Sequence, residues 1–285
     1  MNRFPQQHLT FATALLTLAL AGATACAPAG ETAAPQSVDS GNTAMHLFDS
    51  DAVQLVDLSY PLSPDSLYWP TGAPFAHELS AGISEGGYWY ASGSFSSPEH
   101  LGTHLDAPAH FAEHGWSNVD IPLQRLFARG ALIDISTKAE ADADALLTPD
   151  DIAAWEERNG PVPESAVVIV RTGWASRWPD WNDYYGSETP QDVTSLHFPG
   201  VSPEAAALLV ERGVAGVGLD TASIDYGPST DFRTHQVLGA ANVFNLENLT
   251  NIDDLPETGF GIIALPMKIQ EGTGGPTRVV AVVPR

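Results

Sequence analysis

The segment His100-Leu-Gly-Thr-His-Leu-Asp-Ala-Pro-Ala-His110 places three histidines and an aspartate within eleven residues. His100, His104, Asp106 and His110 are all even-numbered, and side chains of an extended chain alternate with period two, so all four are predicted to face one side. On an α-helix the pairs His100/His104 and Asp106/His110 would diverge, and Gly102 and Pro108 oppose a helix here. Imidazole nitrogen and carboxylate oxygen are the ligand types of Zn²⁺, Mn²⁺ or Fe²⁺. The only cysteine, Cys26, is far from this run, which excludes a closed thiolate zinc knot. The segment reads as an open, catalytic metal site.

Around it, strand and helix signals alternate. Val53–Leu58, Ala131–Ile135, Ala166–Val170, Val214–Leu219, Gly261–Leu265 and Val279–Val283 are apolar strand candidates. The unbroken apolar run Ala166–Val170 suits a sheet covered on both faces. The aromatic stretch Gly87–Phe95 is strand-like and leads into the metal segment. Thr148-Pro-Asp-Asp and Ser202-Pro-Glu read as helix starts, each with a capping hydroxyl, a proline in the first turn and acids near the positive end. The fold class is therefore α/β.

Lysine and arginine number 12 against 35 acidic residues, a net charge of −23. That balance argues against nucleic-acid or anionic-membrane binding. Residues 1–25 are expected to be a secretory signal peptide, with Arg3 ahead of a short apolar core from Leu9 to Ala21. Cys26, directly after Ala23-Thr-Ala25, resembles a bacterial lipobox. Residues 26–46 are then a lipidated cysteine and a flexible tether of small, polar and proline residues. The expectation is an exported protein, periplasmic or membrane-anchored through Cys26, with one folded domain over residues 47–285. A lone cysteine forms no internal disulfide, so stability rests on the core.

H-x-G-T-H-x-D-x-P-x-H resembles the signature of the cyclase-like metal-dependent hydrolases, the family of bacterial kynurenine formamidases (arylformamidases) and isatin hydrolases. Val56-Asp-Leu-Ser-Tyr-Pro-Leu, Trp69-Pro-Thr-Gly-Ala-Pro-Phe75, Val170-Arg-Thr-Gly-Trp174, Gly218–Asp225, His235 and Glu247 fall in the family's order. The resemblance covers about residues 53–283. It implies a swivelling β/β/α architecture, assembled as a homodimer or homotetramer. It further implies that His100, His104 and Asp106 hold one metal. Asp106 and Glu247 would bridge to a second, which His235 also ligates. The divalent ions would be two zinc ions, with manganese as the other option. His110 matches the family's proton donor and acceptor, and Trp69 a tryptophan that contacts substrate. Isatin hydrolases carry glutamine in place of Glu247 and hold a single manganese, so glutamate favours the dinuclear, formamidase-like arrangement. Without the resemblance, Glu247 reads as a surface acid and His235 as a helix-start residue.

The chemistry follows from the donor set. A metal held by imidazoles and a carboxylate lowers the pKa of water from 15.7 to about 7, giving a nucleophile for an amide or formyl carbonyl. The departing amine needs a proton, and His110 has the residue type and place to move it. Thr103 is the candidate hydrogen bonder that orients a ligand. Asp220 and Asp225 follow a buried strand, where α/β sites gather, and a supporting, turn or catalytic role is open for both. Among the aromatics, only Trp69 sits in a loop built by Pro70, Gly72 and Pro74. His77, His114 and His197 lack a motif. Three functions are compatible: hydrolysis of an aryl formamide such as N-formylkynurenine, opening of a cyclic amide, imide or lactone as in isatin hydrolysis, and metal-dependent ligand capture without turnover. An intact His110 favours catalysis, since capture needs no proton shuttle.

Overall fold

The computed structural model describes residues 51–285, so the expected signal peptide, Cys26 and tether lie outside the described residues. The chain forms β1 (Val53–Asp57), β2 (Ala76–Ile83), β3 (Trp89–Ser96), β4 (His104–Asp106), β5 (Phe127–Asp134), α1 (Ser136–Ala141), β6 (Leu146–Leu147) and α2 (Pro149–Asn159). It continues through β7 (Val167–Arg171), α3 (Trp181–Tyr185), β8 (Gly200–Val201), α4 (Pro203–Glu211), β9 (Gly216–Leu219) and α5 (Arg233–Ala240). The last strands are β10 (Phe244–Glu247), β11 (Phe260–Pro266) and β12 (Gly274–Pro284).

Strands β5, β7, β9 and β10 lie side by side and parallel. β4 runs antiparallel to β10, β12 antiparallel to β4, and β11 antiparallel to both β12 and β5. The sheet therefore closes on itself as a barrel, with β1 laid along the free part of β12. The α/β class holds, and the sheet buries both faces as the apolar run predicted. Val167 and Ile169 of β7 point into one core with Leu105, Phe244 and Phe260. Val168 and Val170 point into a second core under the helices, with Trp155 of α2 and Leu209 of α4. Both predicted helix starts form: Asp151 accepts from the backbone N–H and hydroxyl of Thr148, and the Ser202 hydroxyl accepts from the Ala205 N–H at 3.1 Å.

β2 and β3 stand apart as a two-stranded ribbon. Its register pairs Leu79 with Gly93, Ala81 with Ala91 and Ile83 with Trp89, so one face is apolar. Leu79, Ile83, Trp89 and Phe95 are all more than half exposed. Among the described residues no helix is long and apolar enough to cross a membrane.

Candidate metal centre

β4 lies between β10 and β12, and its alternation separates two roles. Leu105 faces the barrel core, while its neighbours His104 and Asp106 face the opposite side and are buried. β10 does the same, with Phe244 and Leu246 inward and Glu247 in register with His104. His235 arrives from the first turn of α5. The extended reading of the whole His100–His110 run needs correction. Only His104–Asp106 is strand; Gly102 adopts a left-handed φ of +59°, and Pro108–His110 forms a 3₁₀ turn. The four residues still converge, because both bends fold the flanking histidines back: the rings of His100 and His110 stack 3.9 Å apart.

The centre is a ring of alternating imidazoles and carboxylates. His104 Nε2 lies 3.2 Å from Asp106 Oδ1 and 3.4 Å from Glu247 Oε2. His235 Nε2 lies 3.2 Å from Asp106 Oδ2 and 3.3 Å from Glu247 Oε1. Each carboxylate thus offers one oxygen to each ring. His100 Nδ1 adds a third contact, 2.6 Å from Asp106 Oδ1.

Proton accounting shows what this ring accommodates. His104 Nδ1 donates to the Gly102 carbonyl at 2.8 Å, and His235 Nδ1 donates to Asp225 Oδ2 at 2.7 Å. The Thr273 hydroxyl donates to Glu99 at 2.7 Å, so it accepts from His100 Nε2 at 3.0 Å. Three neutral imidazoles would spend their only protons outward and aim three lone pairs at two buried carboxylates. His104 Nε2 has no hydrogen-bond partner at all. Only positive charge resolves that arrangement, either protons on the rings or a divalent cation, and the donor set suits the latter. Among the described residues, two candidate donor sets share Asp106: His100 with His110, and His104 with Glu247. His100 Nδ1 and His104 Nε2 also meet on one oxygen, Asp106 Oδ1, at 2.6 and 3.2 Å.

The titration behaviour has the same cause. Burial works against a charged His104, but Asp106 and then Glu247 outweigh it and raise its pKa to about 10. His235 is likewise raised well above the ordinary value against its burial, by Asp106, Asp225 and Glu247. Burial would raise Asp106, yet the adjacent His100 and His104 hold it well below the usual carboxylate range. His110 moves the other way: burial pushes it down to about 4, so it is neutral at pH 7 and able to accept a proton.

Above the ring opens a cavity of about 290 Å³, lined on one side by His100, His104, His110 and Glu247 and on the other by Trp69, Phe111 and Phe232. Trp69 is thus one of the cavity's lining residues. Phe111 and Phe232 were not foreseen, although Phe111 directly follows His110. Trp174 is buried in the core, Tyr88, Trp89 and Tyr90 are exposed, and His77, His114 and His197 are exposed. The expectation for Thr103 is corrected. Its hydroxyl donates to the Asn248 carbonyl at 2.6 Å and accepts from the Tyr60 N–H at 3.0 Å, so it ties neighbouring segments together. The orienting partners are instead Gly102 O, Asp225 and the Thr273–Glu99 pair. Asp220 is structural: fully buried, it accepts from the Thr172 N–H and hydroxyl.

The Cyclase family profile matches residues 56–226. The chain is 34% identical over 257 residues to the isatin hydrolase of Roseibium aggregatum, covering 83% of this chain and 94% of that protein. This chain belongs to the cyclase family. A second member, the kynurenine formamidase of Salinibacter ruber, is 28% identical over 228 residues, 79% of this chain and 96% of its own. A crystal structure of an isatin hydrolase bound to the product analogue thioisatinate superposes with a TM-score of 0.78 at 31% identity, covering 86% of this chain and 97% of the other. Like these cyclase-family relatives, the chain is a hydrolase, and ligand capture without turnover falls away as its function.

Proposed function

We propose that this protein is a metal-dependent amidohydrolase that cleaves the carbon–nitrogen bond of an aryl formamide. The observation that carries the reading is the pair of buried carboxylates, Asp106 and Glu247, each facing both His104 and His235. Two carboxylates so shared suit two divalent ions, zinc or manganese. When bound, such ions supply a hydroxide near neutral pH and polarise a carbonyl oxygen.

The chain's own residues do the rest. His110 faces the cavity beside His100 and is held neutral, which fits it to take a proton from the nucleophile and return it to the departing amine. Trp69, Phe111 and Phe232 offer flat apolar surface for an aryl ring, and their packing keeps bulk water from one side of the reacting carbonyl. The buried backbone N–H of Ile224 donates to Glu247 at 2.8 Å and fixes the carboxylate that faces both imidazoles.

A second reading, opening of a cyclic aryl amide, is favoured by the 34% identity to an isatin hydrolase. A hydrolysis screen of metal-loaded protein against N-formylkynurenine, isatin, aryl esters and lactones decides between them. Preference for isatin would replace the formamide reading, and turnover of neither would remove both.

The exposed apolar ribbon β2–β3 supports assembly as a homodimer or homotetramer, checked by light scattering across a concentration series. The apolar run from Leu9 to Ala21 ahead of Cys26 supports export and lipid anchoring. Incorporation of labelled palmitate that persists in Cys26→Ser would remove that part of the proposal.

A further inference from the structure

One buried carboxylate outside the ring reaches both halves of the site. Asp225 lies in the loop between β9 and α5 and accepts four hydrogen bonds within that loop and the first turn of the helix. Its Oδ2 takes the backbone N–H of His235 at 3.1 Å and the ring Nδ1 at 2.7 Å. Its Oδ1 takes the Thr234 N–H at 3.0 Å and the Ser229 hydroxyl at 3.3 Å. Ser229 Oγ in turn accepts from the Phe232 N–H at 3.2 Å. The two oxygens therefore serve different ends: one holds an imidazole of the ring, the other a turn that carries an aromatic wall.

That turn is strained at the residue that forms the wall. Phe232 sits at φ +50°, ψ +46°, in the left-handed region. A bulky side chain seldom adopts it, and such strain persists only where the surroundings over-determine it. The result is a ring placed into the cavity, 6.0 Å from Trp69 and 5.3 Å from Phe111 between centroids. Relaxing residue 232 to an ordinary φ would swing that ring away from both partners.

We propose that Asp225 is a positioning residue that sets the His235 imidazole and the Phe232 wall together, so that cation retention and selection of an aryl substrate depend on one carboxylate. The aryl part rests on the proposed function. The inference predicts that the two properties fail jointly when Asp225 changes and separately when only one branch is cut.

Asparagine is the informative replacement, because every group facing Asp225 is a donor. An amide NH₂ then faces a backbone N–H whichever way it is turned, so the carboxamide must tilt out of its seat and loosen the His235 and Ser229 branches together. Asp225→Asn is expected to weaken Zn²⁺ or Mn²⁺ binding about 10–100-fold, the range for losing a partner of a metal-binding histidine. It should also raise KM for a phenyl formamide about tenfold relative to an alkyl formamide of similar size. Ser229→Ala, a half-buried site with little risk to folding, should leave the metal dissociation constant unchanged while raising the aryl KM a few-fold at near-constant kcat. Metal affinity is read by chelator competition, independently of turnover. If Asp225→Asn weakens metal binding but leaves aryl-over-alkyl preference intact, or Ser229→Ala leaves the aryl KM unchanged, the coupling is overturned. If wild type shows no preference for aryl over alkyl formamides, the proposed substrate class fails instead, and the metal affinity of Asp225→Asn still tests the His235 branch.

Discussion

Glu247 and His104 are direct partners across the antiparallel β4–β10 pair, and their side chains meet 3.4 Å apart on the buried side of the sheet. Strand register alone brings them together, although 143 residues separate them in sequence (247 − 104). A carboxylate there carries charge and two oxygens, whereas an amide offers one neutral acceptor. Glu247→Gln is expected to lower metal content from two ions per chain toward one, measured by mass spectrometry after identical loading. Wild type saturating at one ion would end the dinuclear proposal.

His110 touches the ring through its stack on His100 but makes no ion pair with either ring carboxylate. Truncation to alanine should keep bound metal and lower kcat about 10²–10⁴-fold, the usual contribution of a general acid–base group. Since His110 also belongs to a candidate donor set with His100 and Asp106, metal content must be measured alongside. Loss of both in step would make it a ligand.

The metal-free protein should lose stability as the solution becomes alkaline. His104 has a folded pKa of about 10 against 6.5 unfolded, so its stabilising proton is fully present below pH 6.5. That contribution falls away as pH rises toward and through about 10. A bound cation replaces the proton, so the metal-loaded protein should lack this slope. Melting curves of stripped and loaded protein between pH 6 and 10 provide the check, and parallel profiles would contradict the arrangement.

Gly274 of β12 backs the ring of His100. A Cβ there would stand 2.6 Å from the Leu105 carbonyl and 2.7 Å from His100 Cε1. Gly274→Ala is expected to cost about 1–3 kcal/mol by overpacking and to weaken metal binding, because either β4 or the His100 ring must shift. Unchanged melting temperature together with unchanged metal affinity would show that His100 needs no such seat.

Much of this was legible because His100, His104, Asp106 and His110 are close in sequence and chemically distinctive. Ala166–Val170 and the Thr148 and Ser202 caps were equally readable, since alternation and capping are local. Barrel closure through β4 and β12 was not, because nothing in a three-residue strand names its partners. Thr103 was misjudged for a related reason: adjacency to ligands says nothing about where a hydroxyl points once β4 is flanked on both sides. Asp225 was open to a supporting role from its place after a buried strand, but Thr273 and Phe232 reach the site only once the β11–β12 and β9–α5 loops meet there.

The assembly proposed through the β2–β3 ribbon would make concentration a variable of this protein's chemistry. A lone two-stranded ribbon is marginally stable in water, and its open edges can template pairing with other chains. Between Ala76 and Ser96 the only charged groups are Glu78 and Glu85, so the strong acidity of the chain does little to shield it. In the proposed assembly, dilution below its threshold would melt the arm that joins Trp69 to His100, and specific activity would fall before the barrel itself unfolds.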